Sequence, residues 1–393
     1  MIKKVYVVSA ARTAIGTFSG SLATQAPTSL AAHVSKAAIE RAGIAASEVQ
    51  LAVFGHVINT EARDMYLSRV AAVEAGVPIE SPAMNVNRLC GSGAQAIVSG
   101  LQSILLGDAD IALVGGAECM SRGPHITQNI RHGQKMGDFA FSDMMLGALN
   151  DPFGNGHMGI TAENIAEQQS LSRQDQDEFA VESHRRAVKA IADGVFKSQI
   201  VPVEIKTRKG TITFDTDEHV RADASVEGMG SLRAAFKKDG SVTAGNSSGI
   251  NDGAAALILM SEEALARSGA TPLAEITGYA HAGVEPHLMG LGPVPAVKLL
   301  SERTGISIAD FDVVESNEAF AAQACAVTQL LGLDPAKVNP NGGAVALGHP
   351  VGATGAILTV KAIYELQRSQ QTHGLITMCI GGGQGIALSV RRV

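Results

Sequence analysis

The chain is poor in cysteine: only four of its 393 residues are Cys, at positions 90, 119, 325 and 379, spaced by 29, 206 and 54 residues with no CxxC pair. Such a count excludes a disulfide scaffold and a metal knuckle, and it fits a reducing cytoplasm. No HExxH motif, Walker loop or strand-GxGxxG-helix-acid pattern occurs, so no metal, nucleoside-triphosphate or dinucleotide site is expected. Charge is scarce as well, at 18% of residues with a net charge of −7. Nothing marks a nucleic-acid or anionic-membrane partner, and any anion site has to be local. The opening Met-Ile-Lys-Lys-Val-Tyr-Val-Val-Ser lacks an apolar signal core, so export or transit is not expected. Two runs without charged side chains, 89–107 (past Arg88) and 338–360, are broken by Asn, Pro, His, Ser and repeated Gly, and they read as buried segments rather than membrane spans.

What is present is apolar bulk, 46% of residues, together with 43 glycines. That composition predicts a compact globule of two or three domains with many tight turns. An internal repeat organises it. Shifted by 262 positions, Lys36, Glu40, Arg41, Gly43, Ile44 and Glu48 meet Lys298, Glu302, Arg303, Gly305, Ile306 and Asp310 without a gap. Each copy reads as an amphipathic helix closed by a left-handed glycine, followed by an apolar strand, 51–55 or 312–316. A second match sets Val86-Asn87 beside Val338-Asn339, each leading through a Gly-rich turn into an apolar helix and a strand. Two α/β halves of like topology follow, separated by an inserted stretch, 119–249, without a counterpart in the repeat. Its segment 119–137 carries Arg122, Arg131 and Lys135 and no acidic residue; either it is a solvated basic loop or it meets another subunit or an anionic ligand. Residues 175–189 read as a surface helix.

The candidate chemistry lies at the matching turns. Asn87-Arg-Leu-Cys-Gly-Ser-Gly93 opens a helix over 94–106. Cys90 at that helix start has unpaired N–H groups and the positive end of the dipole to favour thiolate. Leu347-Gly-His-Pro-Val-Gly-Ala-Thr-Gly355 is the corresponding turn of the second half. If the halves pack about a pseudo-twofold, His349 comes near Cys90, and a Cys with a nearby His is the minimal activated nucleophile. Cys379-Ile-Gly-Gly-Gly-Gln-Gly385 places a second thiol beside glycine N–H groups able to line an oxyanion pocket. Asn317, in Ser-Asn-Glu-Ala-Phe320, is either an amide donor to a substrate carbonyl, directly or through water, or a helix cap. Cys119 and Cys325 read as core packing.

Taken together, Asn87-x-x-Cys-x-Ser-Gly93, Asn317-Glu-Ala-Phe320, Gly348-His-Pro-x-Gly-x-x-Gly355 and Cys379-x-Gly-Gly-Gly-x-Gly385 resemble the signature blocks of the thiolase family, in the family's order. The resemblance runs over essentially the whole chain. His157-Met-Gly-Ile-Thr-Ala-Glu-Asn164 and Ala244-Gly-Asn-x-Ser-Gly249 make it most similar to the acetoacetyl-CoA thiolases and β-ketothiolases of bacteria.

The resemblance implies a five-layered α/β/α/β/α fold: one half over 1–118 plus 250–270, a loop domain over 119–249, and a second half over 271–393. It implies a homotetramer, with the basic loop at tetramer contacts or at the 3′-phosphate of CoA. It also implies an acetyl-CoA C-acetyltransferase with no bound cofactor, whose partners are acetyl-CoA, CoA and short 3-ketoacyl-CoA. Cys90 would then be the nucleophile, His349 its base and Cys379 the acid and base at the α-carbon. One oxyanion hole would fall to His349 with an Asn317-bound water, the other to the N–H groups of Cys90 and Gly381. Arg221 would lie near the nucleotide and Ser248 near the pantetheine, with His157, Met158, Met289 and Phe320 lining the channel. The related ketoacyl synthases usually carry a second His where Cys379 stands. Thr60-Glu-Ala-Arg-Asp-Met-Tyr-Leu67 departs from the usual acetoacetyl-CoA thiolase pattern and resembles β-ketothiolases that also take five-carbon substrates. Ser316 and Cys119 depart from the commoner Ala and Ser. The rival readings are a degradative 3-ketoacyl-CoA thiolase of broader chain length and a non-catalytic acyl-CoA or lipid-binding protein on the same fold.

Overall fold

A computed structural model of the protein describes residues 3–128 and 130–393. Residues 1 and 2, where the first half is expected to open, and residue 129 of the basic loop lie outside the described residues. Ten strands among the described residues share one mixed sheet. From one edge its order is Val313–Ser316, His373–Ile380, Gln384–Arg392, Ala274–Gly283, Val5–Arg12, Asn251–Ser261, Ile111–Cys119, Leu51–Gly55 and Ala83–Val86, with Gly16–Thr17 paired onto Asn251–Ser261. The two halves meet where Tyr6 and Val7 pair with Glu275 and Ala274.

The repeat is visible in the register. Leu51 lies opposite Ala112 and Val313 opposite Gly374 in parallel ladders, each residue 262 positions from its counterpart. Gly43 and Gly305 end equivalent helices, Pro27–Ala42 and Pro293–Thr304, at φ 68° and 71°, where a side chain would clash with the backbone. The second match needs a correction. Val314 bridges Val338, while its counterpart Ala52 pairs with Ala83, so Val338 stands in the place of Ala83 and not of Val86. From Ala83 to the helix start at Ser92 is nine positions, and from Val338 to Thr354 is sixteen; the second half carries seven more residues at this turn.

The helices Ser92–Leu106 and Thr354–Ser369 lie between the halves, each on its own strands and against the other. Pro27–Ala42 covers the outer face of the first half and Pro293–Thr304 that of the second. The result is the α/β/α/β/α layering that the resemblance implies. Burial of Ala94, Ile97, Val98, Leu101 and Ile104 at helical spacing holds Ser92–Leu106 inside, which explains why an apolar run long enough to span a membrane is instead a core helix. At the crossing, a methyl on Gly93 would sit 2.7 Å from the Ala356 nitrogen and one on Gly355 2.3 Å from the Ala94 nitrogen. These two contacts are each other's image under the 262-residue shift.

The inserted stretch has small ribbons and helices of its own. The helix expected at the surface over 175–189 runs Arg173–Ala192, started by a capping box of Ser172 and Asp175, and buries Ala180, Ser183, His184 and Ala187. It is therefore half core, because it packs on Ala321–Leu331 and Ala344–Leu347. A fully buried ion pair ties the stretch to the sheet. Arg12 holds Asp217 at 2.8 and 3.0 Å, donates to Gln199 at 3.1 Å, and lies over the Phe196 ring at 5.0 Å. Cys119 is buried as expected, whereas Cys325 is only half-buried, at the wall of a groove.

The helix crossing sets a stability test. Gly355→Ala should cost about 3 kcal/mol or more by forcing the backbones apart and lower the thermal midpoint by several degrees. Gly147→Ala, whose new methyl meets nothing within 4 Å, should leave the midpoint in place. Equal midpoints for the two variants would contradict the crossing as described.

Candidate active site

The turn that carries Cys90 is built by its own motif. Leu89 adopts a left-handed conformation, φ 46°, costly for a branched residue and here over-determined by hydrogen bonds. Its N–H donates to Asn87 Oδ1 at 3.1 Å, and its carbonyl accepts from the Ser92 hydroxyl at 2.7 Å. Ser92 Oγ in turn accepts the Arg88 N–H at 2.8 Å. Asn87 and Ser92 are thus turn-builders, a role legible only once their partners are known. Cys90 is half-buried, two residues before the helix start. The expected thiolate is not what this environment favours. Burial pushes the thiol up, and the buried Glu118 carboxylate adds to it, against the lowering pull of the Gly381 N–H and of its own N–H. Cys90 therefore rests as a thiol, and its nucleophilicity depends on a base.

His349 supplies a neutral ring. Its backbone N–H donates to Asn251 Oδ1 at 2.9 Å, and Nδ1 lies 2.7 Å from Thr354 Oγ1. Because the Thr354 hydroxyl donates to the Pro350 carbonyl at 2.9 Å, Oγ1 is left to accept from Nδ1–H. That hydrogen-bond assignment leaves Nε2 as a free lone pair. Burial lowers His349 to about 4. Nε2 lies 3.5 Å from Asn317 Nδ2. Asn317 is fully buried with Oδ1 unpaired, and the cap of the following helix is Phe320, so Asn317 is not a helix cap. Thr354 and Asn251 escaped sequence reasoning; Thr354 at least stood in view, five residues after His349 in the same motif.

Cys379 is the penultimate residue of His373–Ile380 and is buried. Burial first, then the neighbouring Cys90, hold its thiol well above the ordinary range. Returning from the inserted stretch, the chain clamps this corner: Ser247 bridges Phe320, Ser248 N–H donates to the Ala319 carbonyl at 3.0 Å, and Ile250 bridges His349.

One apolar cavity of about 60 Å³ gathers Cys90, His349, Cys379, Gly381, Ser248, Met158, Met289 and Phe320, with Val57, Leu89, Ala148, Leu149, Ala319 and Val351. Asn317 stands behind it on His349. His157, expected in the lining, and Arg221, expected farther out at the nucleotide, are both outside this lining. His157 caps Met158–Gln168 through Nδ1 and stacks on Phe236 at 4.7 Å, with Phe236 edge-on to Phe320 at 6.0 Å, so it backs the wall instead of lining it. Arg221 is exposed and outside the cavity, its N–H donated to His184 Nδ1 at 3.1 Å. A larger groove of about 400 Å³, between Arg173–Ala192 and Ala321–Leu331, has no histidine in its lining, and its Cys325 is pushed up to about 12 by burial. The chemistry belongs to the smaller cavity.

Family models for the N-terminal and C-terminal thiolase domains match residues 5–263 and 270–392. The chain belongs to the thiolase family. Among curated thiolases it is similar to the beta-ketothiolase BktB of Cupriavidus necator, 59% identical over 100% of both chains. It is also similar to the acetyl-CoA acetyltransferase of Shinella zoogloeoides, 49% identical over 98% of each. Human mitochondrial 3-ketoacyl-CoA thiolase superposes with a TM-score of 0.98 at 41% identity over 100% of both chains. In its complex with CoA that thiolase superposes at 0.97 and 40% identity, over 100% of this chain and 98% of its own.

The neutral His349 makes a prediction in pH. Its folded value, about 4, lies below the ordinary 6.5, so the unfolded chain takes up the proton first as pH falls. The contribution is present in full above 6.5 and is lost between 6.5 and 4, on the order of 3 kcal/mol. Thermal midpoints of the native protein should fall more steeply across that window than those of His349→Asn. Parallel slopes would contradict the buried neutral ring.

Proposed function

We propose that this thiolase is an acetyl-CoA C-acetyltransferase of the β-ketothiolase type, joining acetyl-CoA to acetyl-CoA or a short acyl-CoA and cleaving short 3-ketoacyl-CoA with CoA. The observation that carries this is the convergence of Cys90, His349 and Cys379 on one small apolar cavity. In the first half-reaction His349 Nε2 takes the Cys90 proton and the sulfur attacks the thioester carbonyl. The tetrahedral oxyanion is held by the Cys90 and Gly381 N–H groups; CoA leaves with the proton from His349, and an acyl-Cys90 remains. In the second, the Cys379 thiol passes its proton to His349 Nε2, and the resulting thiolate removes an α-proton from acetyl-CoA. The enolate oxygen accepts from His349 Nε2–H and from an Asn317-bound water, the enolate carbon attacks the acyl carbonyl, and Cys90 departs with the proton of His349 while Cys379 keeps the α-proton.

Cys379 fits the reverse step as it stands: a thiol held well above the ordinary range by burial and by Cys90 is a proton donor to the enolate. Once Cys90 is held in a thioester it can form no thiolate, so one of the two causes that keep Cys379 protonated is absent in the second half-reaction. The tight cavity, walled by Leu149, Met158 and Met289, favours short acyl groups. The similarity to human mitochondrial 3-ketoacyl-CoA thiolase supports the broader-chain reading instead. A non-catalytic role is disfavoured by the presence of all four motif residues, Cys90, Asn317, His349 and Cys379.

CoA thioesters would be the substrates and no bound cofactor is needed. The CoA body would run along the inserted stretch from Ser248 toward Arg221. A homotetramer is part of the reading: the basic loop and the residues just after it expose Met136, Phe139 and Phe141, large apolar side chains of the sort that partner subunits cover. Free thiols at the site suit the cytoplasm.

CoA-dependent thiolysis of acetoacetyl-CoA, 3-ketovaleryl-CoA and 3-ketooctanoyl-CoA, with Cys90→Ala as the blank, tests the reading. Turnover confined to the two shorter substrates is expected; a strong third rate would move it to broad-chain breakdown, and no Cys90-dependent rate would overturn it. Cys379→Ala should keep acylation of Cys90 and lose condensation by roughly 10²- to 10⁴-fold. Unchanged condensation would refute its role.

A further inference from the structure

The seven additional residues of the second half lie in the segment that delivers His349, and one buried carboxylate grips that segment. Glu318 is 2% exposed. Its Oε1 accepts from Asn339 Nδ2 at 2.7 Å; its Oε2 accepts from the Ser183 hydroxyl at 2.7 Å and the Val345 N–H at 3.1 Å. Ser183 Oγ also accepts the Gly343 N–H at 3.0 Å. A methyl on Gly343 would sit 2.1 Å from the Glu318 carboxyl, so the carboxylate lies directly on the segment's backbone. Asn339, in turn, clasps the end of the neighbouring strand, accepting the Ser316 N–H at 3.0 Å and donating to the Ser316 carbonyl at 2.8 Å. The segment then passes through Gly348, at φ 108°, into His349. Glu318 follows Asn317 directly in the chain.

We infer that Glu318 is a positioning residue: it holds the His349-bearing segment against the loop that bears Asn317, and it ties both to Ser183 of the inserted stretch. The inference rests on the proposed role of His349 as the base for Cys90. Three donors converge on two anionic oxygens, a demand that a carboxylate meets and an amide does not. Glu318→Gln keeps the shape but offers one acceptor oxygen and turns an NH₂ toward a donor. The base would then sit a fraction of an ångström out of place, and misplacement on that scale is felt in rate.

The test is the rate at which iodoacetamide alkylates Cys90 near neutral pH, in the native protein, Glu318→Gln, His349→Ala and the double variant, with thiolysis kcat and KM measured beside it. Glu318→Gln should slow alkylation and lower kcat by about tenfold or more with KM for the CoA thioester little changed. In the His349→Ala background it should have almost no further effect on alkylation, because it acts through His349. Ser183→Ala removes the hydroxyl's two contacts, to Glu318 and from the Gly343 N–H, and spares the carboxylate, so it keeps the test open if Glu318→Gln fails to fold. It should lose about threefold, again only where His349 is present. Equal losses in both backgrounds, or none, would overturn the positioning role. If His349→Ala itself left alkylation and turnover untouched, the underlying reading of His349 would fall, an outcome distinct from the failure of Glu318 alone.

Discussion

The rest of the structure depends on the contact between two helix starts. Ser92–Leu106 and Thr354–Ser369 meet so closely that neither Gly93 nor Gly355 has room for a methyl group. Each half of the repeat contributes one of these helices and the turn before it, and the turns carry Cys90 and His349. Holding the helix starts together therefore holds the two turns together. It also aims two positive helix ends at one corner of the molecule, where acyl transfer develops negative charge. Helix starts do not attract one another, and the apolar burial along both helices and both halves of the sheet has to hold them in place.

Around this axis the halves have diverged. The first keeps a short turn, strained at Leu89 and locked by Asn87 and Ser92, which lifts a thiol into the cavity. The second lengthens the turn by seven residues and grips it with buried polar groups, of which Glu318 accepts three hydrogen bonds. Buried polar groups of this sort are worth their desolvation only when satisfied. The unpaired Oδ1 of Asn317 stands out against that pattern, at the place where a substrate-bound water would be held.

Much of this was legible in the sequence. The repeat, the left-handed caps at Gly43 and Gly305, and the meeting of the Cys90 and His349 turns all follow from local patterns that physical chemistry constrains tightly. What was not legible depends on distant partners. The ion pair of Arg12 with Asp217 joins residues about two hundred positions apart with no periodicity to announce it. His157 sits in a matching motif, yet its ring stacks on Phe236 from another part of the insertion and is outside the cavity lining. The resting state of Cys90 went the other way from its helix position because desolvation, which no local pattern reports, outweighs the neighbouring N–H groups. The register of Val338 is not legible either, because two short Val-Asn matches look alike whichever strand position they occupy.

The central claim is that Cys90 alone carries the acyl group while the other thiols remain free. Incubating the protein with acetyl-CoA, quenching in acid and mapping the peptides by mass spectrometry tests it directly. One acetyl thioester on the Cys90 peptide, with Cys119, Cys325 and Cys379 unmodified, is the result this account predicts. Acetyl on Cys379 in place of Cys90, or on no cysteine at all, would contradict it.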